Sequence, residues 1–409
     1  MPKDIVVVGC GAAGMMAALF AARAKAGVTM IERNHRPGVK LAITGKGRCN
    51  ITNACTVKEL VSNVPTNGRF LYSAFNHLDS GSTMELFESI GIRLTTERGR
   101  RVFPASDSAH EVIQQLHGEL IRLGVRMYMD TRVQSINKPT NGTFTVECSG
   151  GIRTIKADSV VLATGGASYP RTGSSGDGYK FAASLGHMIV PLWPALVPLE
   201  VAETWVRDVQ GLSLKNVELI APSGREFGEM LFTHFGISGP IVLSLSSHLR
   251  KDLMQGHVVL RLDLKPALTQ EAVEARLRRD FAQAGRKFFG NSMSDLLPAS
   301  LIPVFVKLAQ IPHDRQVSQI TKEQFERVSF MLKNLELTVV GQRPLAEAIV
   351  TAGGVKTSEV DPRTMESKLV SGLYFAGEIL DVDAYTGGYN LQIAWSTGAV
   401  AGESAAREN

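Results

Sequence analysis

The stretch from Ile5 to Glu32 constrains this chain more than any other. Ile5-Val6-Val7-Val8 is a β-branched run suited to a buried strand, and it leads directly into Gly9-Cys10-Gly11-Ala12-Ala13-Gly14, a G-x-G-x-x-G. Ala12 to Ala26, rich in Ala, Met and Leu, reads as a helix stopped by Gly27. Val28-Thr29-Met30-Ile31 is then a second strand, ending on Glu32. Strand, glycine turn, helix, strand and acid in that order make a βαβ unit for a dinucleotide. Gly9 permits the tight turn, Gly11 lets the backbone approach a pyrophosphate, and Gly14 lets helix and strand pack closely. The N–H groups at the helix start offer partial positive charge to phosphates, and Glu32 can accept hydrogen bonds from ribose hydroxyls.

At 409 residues, 44% hydrophobic and 20% charged, the chain can form two or three domains with substantial cores. The net charge is +5, with Lys and Arg scattered rather than in runs. This favours a solvated basic surface over a nucleic-acid tail, while attraction to anionic substrates or RNA stays open. Four cysteines, Cys10, Cys49, Cys55 and Cys148, show neither metal-ligand spacing nor a disulfide framework. No metal is therefore expected, and a reducing, cytoplasmic setting is. No apolar run approaches the roughly 20 residues of a membrane span.

A second glycine-rich loop follows Glu32: Arg36-Pro37-Gly38-Val39-Lys40, then Thr44-Gly45-Lys46-Gly47-Arg48-Cys49-Asn50-Ile51-Thr52-Asn53. Backbone pressed against anionic phosphates suits this composition and favours FAD, which must be covered along its length, over NAD. The plainer reading of Lys40, Lys46 and Arg48 is a solvated basic loop. Thr83 to Ile90 and His110 to Leu123 read as helices stopped by Gly91 and Gly124. Between them, Arg98-Gly99-Arg100-Arg101-Val102-Phe103-Pro104 is a basic turn running into a strand. It is either a substrate-anion site or, the favoured reading, surface charge.

Strand texture follows at Val125 to Tyr128, Thr131 to Ile136, Phe144 to Glu147 after an Asn141-Gly142 turn, and Ile152 to Ile155. The apolar Ser159-Val160-Val161-Leu162 reads as a return to a central parallel sheet. It ends in Ala163-Thr164-Gly165-Gly166, where ligands bind at strand ends. The polar loop Ala167 to Tyr179 precedes a helix to Leu185.

Near Pro191, Pro194 and Pro198 the chain is expected to leave this domain. The expected division is an FAD domain over 1–192 and 341–409 with an inserted substrate domain over 193–340, β-rich over 193–266 and helical over 267–340. Val217 to Ile220 and His257 to Leu262 read as strands, and Glu229 to Pro240 as a glycine-rich loop carrying His234. Thr321 with Gln324 makes a capping box, followed by helix-periodic Phe325, Val328, Phe330, Met331 and Leu335. The last segment leads through Gly353-Gly354-Val355 and Asp361-Pro362 to the strand Leu373-Tyr374-Phe375. Ala376-Gly377-Glu378, Asp381 and Thr386-Gly387-Gly388-Tyr389-Asn390-Leu391 then open a helix through Ala401. Paired glycines before a helix start suit negative charge on the pyrimidine side of a reduced flavin.

Several of these motifs together resemble the BaiN/YhiN-like flavoproteins, which include an aminoacetone oxidase and a flavoenzyme of bile-acid dehydroxylation. They are Gly45 to Asn53, Arg101 to Pro104, Ala163 to Gly166, Leu231-Phe232-Thr233-His234-Phe235-Gly236-Ile237-Ser238-Gly239-Pro240, and Gly377-Glu378 with Thr386 to Leu391. The resemblance implies an α/β fold: a glutathione-reductase-like Rossmann FAD-binding domain with an inserted β-barrel-like and helical domain. It also implies that Gly9 and Gly11 to Gly14, with Ala12 and Ala13, hold the FAD pyrophosphate, Glu32 with Arg33 the adenosine ribose, and the backbone near Val133 the adenine. Lys40, Gly47, Arg48, Cys49, Asn50, Ile51, Ala163, Thr164, Gly165, Gly377, Glu378, Asp381, Gly388, Tyr389, Asn390 and Leu391 would line the ribityl chain and ring.

The expected activity is an FAD-dependent oxidoreductase exchanging a hydride between flavin N5 and a small-molecule substrate held between the FAD domain and the insertion. NAD(P)H is a candidate transient donor and dioxygen a candidate acceptor. With only one full G-x-G-x-x-G, a separate NAD(P)H domain is not expected, and Cys49 with Cys55 lacks the spacing of a flavin-linked redox disulfide. Candidates for a catalytic role are Cys49, His234 and Tyr169, a packed thiol and a structural histidine being the plainer readings. A flavin-dependent RNA-modifying protein and a non-catalytic flavin-binding regulator rank below the small-molecule enzyme. These motifs leave the substrate, the choice of NADH or NADPH and the oligomeric state open.

Overall fold

The computed structural model describes residues 2–139, 142–150 and 152–407. Asn141 of the expected Asn141-Gly142 turn lies outside them. The chain runs β1 (Asp4–Val8), α1 (Ala12–Arg23), β2 (Gly27–Ile31), β3 (Thr52–Asn53), α2 (Val57–Ser62), α3 (Tyr72–His77), α4 (Ser80–Ser89), β4 (Leu94–Thr96), β5 (Arg101–Pro104) and α5 (Ala109–Arg122). It continues through β6 (Arg126–Tyr128), β7 (Arg132–Asn137), β8 (Phe144–Ser149), β9 (Thr154–Ala157), β10 (Ser159–Leu162), α6 (Asp177–Ser184) and β11 (Ile189–Ala195). Then come β12 (Leu199–Val201), β13 (Ser213–Ala221), β14 (Gly224–Thr233), β15 (Gly236–Ser238), α7 (Pro240–Ser246), α8 (Arg250–Leu253), β16 (Val258–Asp263), α9 (Gln270–Ala284), α10 (Phe289–Ser292), α11 (Ile302–Ala309), α12 (Lys322–Lys333) and β17 (Leu335–Gln342). The last elements are β18 (Val350–Val355), β19 (Leu373–Phe375) and α13 (Tyr389–Ala406). Two compact units result: one of residues up to Ala195 and from Leu345 onward, the other Leu196–Pro344.

The first unit is built on a parallel sheet of order β19-β10-β1-β2-β6. Val6 pairs with Val160 on one side and Thr29 on the other, so β1 is central and its apolar run is buried on both faces. Helix α1 ends a turn earlier than expected. Lys25 takes left-handed geometry (φ 66°), and the Ala26 N–H bonds Ala21 O, closing the helix before Gly27 is reached. Helix α13 runs past the expected Ala401 to Ala406 and packs along α1 without intervening side chains. A Cβ on Gly398 would lie 2.5 Å from Ala13 O, and one on Gly402 2.0 Å from Ala17 O. Both helices are buried along most of their length, α1 as an almost wholly apolar helix and α13 with Gln392, Ser396 and Thr397 buried on hydrogen-bond partners.

Three antiparallel pieces complete this unit: the meander β7-β8-β9, the ribbon β3-β5-β4, and the pair β11-β18. The last was not expected. Pro191 and Pro194 lie in one strand and Gly353 and Gly354 in the other, residues that single-strand propensity counts against. A two-stranded ladder with a register shift between Val190 and Trp193 accommodates them.

The second unit is a closed barrel, β12-β15-β14-β13-β16-β17. Its interior alternation buries Leu219, Phe232, Ile237, Leu260, Leu262, Leu337 and Val339. Two expectations are corrected here. Residues 229–240 are mostly strand rather than loop, and His234 with Phe235 is the turn between β14 and β15. Leu335 does not continue the helix. Lys333 ends α12 with its ammonium 2.5 Å from Asp263 Oδ2 and on the Lys265 and Leu268 carbonyls, and Leu335, Leu337 and Val339 then alternate inward as a barrel strand. The Thr321–Gln324 capping box forms as expected. Among the described residues no helix is long and apolar enough to cross a membrane.

Candidate cofactor site

The C-terminal ends of β1, β10 and β19 are neighbours, and Gly9, Gly165 and Gly377 closely follow them. Gly9 (φ 103°) needs its missing side chain, because a Cβ would lie 2.5 Å from Ala163 O. A Cβ on Gly14 would lie 1.9 Å from Gly9 O. Gly11 is the exception, with nothing within 4 Å of its Cβ position, so backbone and open space meet there. Gly377 packs against Ala13, and Gly388 (φ 102°) presses on the Thr52 backbone. The expected cofactor segments at Gly9–Gly14, Ala163–Gly165 and Gly377 thus share one end of the sheet, and Gly388 lies against the ribbon strand β3.

Two helix starts of this unit have no side-chain cap. Gly11 caps α1 and Gly388 caps α13, neither receiving a side-chain hydrogen bond. The first intrahelical bonds are Met15 N–H to Gly11 O and Gln392 N–H to Gly388 O. The N–H groups of Ala12, Ala13, Gly14, Tyr389, Asn390 and Leu391 therefore have no acceptor among the described residues. Asn390 spends its amide on the Ala384 and Tyr385 backbone instead of capping. Half-buried helix starts left uncapped call for an acceptor, and the anionic pyrophosphate and the pyrimidine edge of FAD would suit one each. The donor set and the glycine cradle fit that cofactor.

Around this cradle the polar residues are tightly partnered. Glu32, 8% exposed, accepts from the Cys10 N–H at 2.8 Å and from Asn34 N and Nδ2 at 2.9 and 2.8 Å. A carboxylate has further lone pairs, so a ribose hydroxyl remains a compatible partner. Arg33 turns to Ser175 (2.6 Å) and Asp177 (3.5 Å), and Asp177 also holds Arg132 at 2.8 Å. Val133 lies buried on β7 opposite Cys148. Ile51 O accepts from Trp395 Nε1 at 2.9 Å, which fixes the Asn50-Ile51 segment on α13.

Lys40 Nζ donates to Glu378 Oε2 and to Ser168 Oγ, both at 2.8 Å. Glu378 Oε1 accepts from the Thr351 N–H at 2.9 Å and Ser168 Oγ at 3.1 Å. Asp381 accepts from Asn67 Nδ2 at 2.9 Å. Ser168, Thr351 and Asn67 were not singled out in the sequence. Thr351 sits on a strand with no motif, and the glycines around Ser168 were the only signal near it.

The three candidates for a catalytic role separate. Cys49 is fully buried, and burial pushes its thiol up to about 12 despite a hydrogen bond with Thr44, so it stays neutral. Cys10 is likewise raised, by burial and then by Glu32. Tyr169 begins a short 3-10 turn in left-handed geometry (φ 50°), its N–H on Ala346 O at 3.3 Å. His234 belongs to the barrel unit, edge-on to Phe235 at 5.0 Å. Arg48 is bound to Glu97 (2.6 Å) and Asp107 (2.5 Å), which raise its pKa and leave it structural in this arrangement. Among the described residues no group of three or more His, Cys, Asp or Glu could hold a metal.

Residues 3–404 match the family described as HI0933-like protein Rossmann domain. The chain is 35% identical to a 3-dehydro-bile acid delta(4,6)-reductase of Clostridium scindens, covering 98% of each chain. It is 32% identical to a ribosomal RNA dihydrouridine synthase of Escherichia coli, covering 96% of each. Its fold is that of a 3-ketosteroid delta1-dehydrogenase from Sterolibacterium denitrificans, with a TM-score of 0.55, 13% identity and 99% of each chain covered. The uncapped βαβ cradle and the whole-chain match agree: this chain belongs to the HI0933-like Rossmann family of FAD-dependent oxidoreductases.

Proposed function

We propose that this protein reduces a carbon–carbon double bond conjugated to a carbonyl group. Saturating a Δ4,6 bond of a 3-dehydro bile acid and converting uridine to dihydrouridine are, as chemistry, one transformation. In each, hydride adds to a carbon conjugated with a carbonyl, the β-carbon in uridine and the β- or vinylogous δ-carbon in the dienone, negative charge moves to the oxygen, and a proton completes the reduction at carbon. Two relatives that match nearly end to end carry names for these two reactions. Bound FAD supplies the two-electron hydride chemistry at N5.

The cofactor part of this reading is supported by the pair of uncapped helix starts, and the conjugated-bond part by the two relatives. The N–H groups of Ala12, Ala13 and Gly14 would hold the pyrophosphate. Those of Tyr389, Asn390 and Leu391 would stabilise charge at the pyrimidine edge of the reduced cofactor. Lys40, anchored by Glu378 and Ser168, keeps a cation at the same end of the sheet. With its thiol neutral, Cys49 packs the ring-binding loop rather than acting as a nucleophile.

The test is selectivity in the oxidative half-reaction. Anaerobically reduced protein, mixed with 2-cyclohexenone or with cyclohexene, is expected to reoxidise with the conjugated alkene alone. Reoxidation by neither, with rapid reoxidation by dioxygen, would point to an oxidase instead.

A further inference from the structure

Reduction of a conjugated double bond ends with a proton reaching carbon, a step that a positioned acid accelerates. Lys40 has the arrangement of such an acid. Its ammonium carries three N–H groups. Ser168 Oγ takes one of them at 2.8 Å. Glu378 takes a second, with Oε2 at 2.8 Å and Oε1 at 3.1 Å, because the two oxygens of one carboxylate lie too close together to take two. The third has no acceptor among the described residues, and the side chain is 22% exposed. Lys40 therefore keeps one proton turned to open space while the other two fix its position.

The two anchors are themselves held. Ser168 is fully buried, its N–H donating to Thr351 Oγ1 at 3.1 Å, and its hydroxyl faces Glu378 Oε1 at 3.1 Å and Ile349 O at 3.3 Å. Glu378 Oε1 also accepts from the Thr351 N–H at 2.9 Å. A Cβ on Gly166 would lie 2.8 Å from that oxygen, so the carboxylate rests against bare backbone of the segment after β10. The loop of Lys40 is tied to the first glycine turn, the Gly38 N–H donating to Cys10 O at 2.8 Å. The ammonium is thus fixed by segments that follow β2, β10 and β19, at the strand ends where ligands bind in open α/β sheets. The Tyr179 hydroxyl, by contrast, is buried and spent on Glu378 O at 3.3 Å, and the Cys49 thiol is sealed from solvent.

We infer that Lys40 is the proton donor of the reaction, with Ser168 and Glu378 as its positioning residues. The inference rests on the conjugated-bond reductase reading and names the acid that this reading requires. Once hydride has added, the substrate is an enolate. The outward N–H bond of Lys40 breaks and leaves its electron pair on nitrogen, while the enolate's carbon takes the proton and the carbonyl re-forms. A neutral ketone and an amine result, and a proton from solvent restores the ammonium on its exposed side. Glu378 holds the ammonium in its charged form, yet an ammonium is a far stronger acid than a carbon beside a ketone, so the transfer still runs toward carbon. Fixing the donor in advance removes the entropy cost of bringing an acid to the carbon.

The test compares two oxidants of the anaerobically reduced, FAD-loaded protein. 2-Cyclohexenone needs a proton at carbon, whereas 1,4-benzoquinone takes its protons on oxygen, directly from water. Lys40→Ala and Lys40→Gln are expected to keep the flavin and to slow reoxidation by 2-cyclohexenone about a hundredfold, with the quinone rate within about threefold of wild type. Excess ethylammonium should restore part of the lost rate in Lys40→Ala and none in Lys40→Gln, whose side chain still fills the space. A lysine that only shaped the cradle would slow both oxidants alike. Unchanged enone rates in the variants, or equal slowing with both oxidants, overturn the assignment and leave the reductase reading standing. Wild type gives an independent measurement should the variants release FAD. Its reduction of 2-methyl-2-cyclohexenone should yield one enantiomer of 2-methylcyclohexanone, the proton arriving from one side, and a racemic product overturns the assignment. Wild type reoxidised by the quinone but by neither enone overturns the reductase reading instead.

Discussion

Lys40 Nζ lies 2.8 Å from Glu378 Oε2, tying the loop after β2 to the segment after β19. Each side chain is about four-fifths buried, and Thr351 and Ser168 occupy the other carboxylate oxygen. In a double-mutant cycle of Lys40→Met and Glu378→Gln, urea unfolding is expected to give a coupling of about 1–2 kcal/mol, as for a partly buried charge-assisted bond. Additive single effects would show that the pair is not energetically linked.

Helix α1 carries the N–H groups proposed to face the phosphates, and its position depends on α13 coming close. Gly402→Ala places a methyl 2.0 Å from the Ala17 carbonyl, which only separation of the helices relieves. We expect a stability loss of about 1–3 kcal/mol and a lower flavin-to-protein ratio after gel filtration. Unchanged flavin retention would show that the helix spacing does not control the cradle.

Much of this architecture was legible in the sequence, for identifiable reasons. The run from Ile5 to Glu32 is local: its strands, turn and acid follow one another without help from distant residues. Ser159 to Leu162 was legible because a strand buried on both faces is continuously apolar. The β11-β18 pair was not, since Pro191, Pro194, Gly353 and Gly354 all argue against strand and only the partner makes the ladder. Leu335 misled because Phe325 to Met331 set a helical period, and the break is made by the tertiary contact of Lys333 with Asp263. At the site, the glycines announced the cradle. Asn53, Ser168 and Thr351 matter through partners far away in sequence, and no spacing rule reveals them.

His187 is expected to make stability pH-dependent. Its ring lies between Glu359 Oε2 (3.1 Å) and Ser367 Oγ (2.8 Å), edge-on to Phe375, and burial lowers its pKa below the usual 6.5, with Glu359 opposing. The unfolded chain therefore takes up a proton more readily. The contribution is full above pH 6.5 and is lost as pH falls from there toward the lower folded value. Paired carboxylates also lose stabilisation in acid, so the readout is the difference between wild type and His187→Gln. Urea unfolding at pH 7.5 and 5.5 should show a smaller drop for the variant, and equal drops would remove His187 from the account.

The cysteines are expected to differ in reactivity. Cys10 and Cys49 are buried with raised pKa values, whereas Cys55 is half-buried and pushed up to about 11. A thiol-specific reagent at pH 8 should leave Cys10 and Cys49 untouched in the native protein and react with all four thiols in urea. Cys49→Ala should keep the flavin and reoxidise with 2-cyclohexenone within a fewfold of the wild-type rate. A rate loss of about a thousandfold with flavin retained would restore Cys49 as a catalytic residue.

The most direct test of the central claim is a single anaerobic turnover. The FAD-loaded protein is reduced until its band near ~450 nm is lost, then mixed with one equivalent of a conjugated substrate, 2-cyclohexenone or a uridine-containing RNA. The band should return as the substrate gains two hydrogens across the conjugated double bond, seen by mass spectrometry as a saturated carbonyl compound or a dihydrouridine residue. A protein that takes up no FAD, or whose reduced form returns only with dioxygen while both substrates are recovered unchanged, would contradict the account.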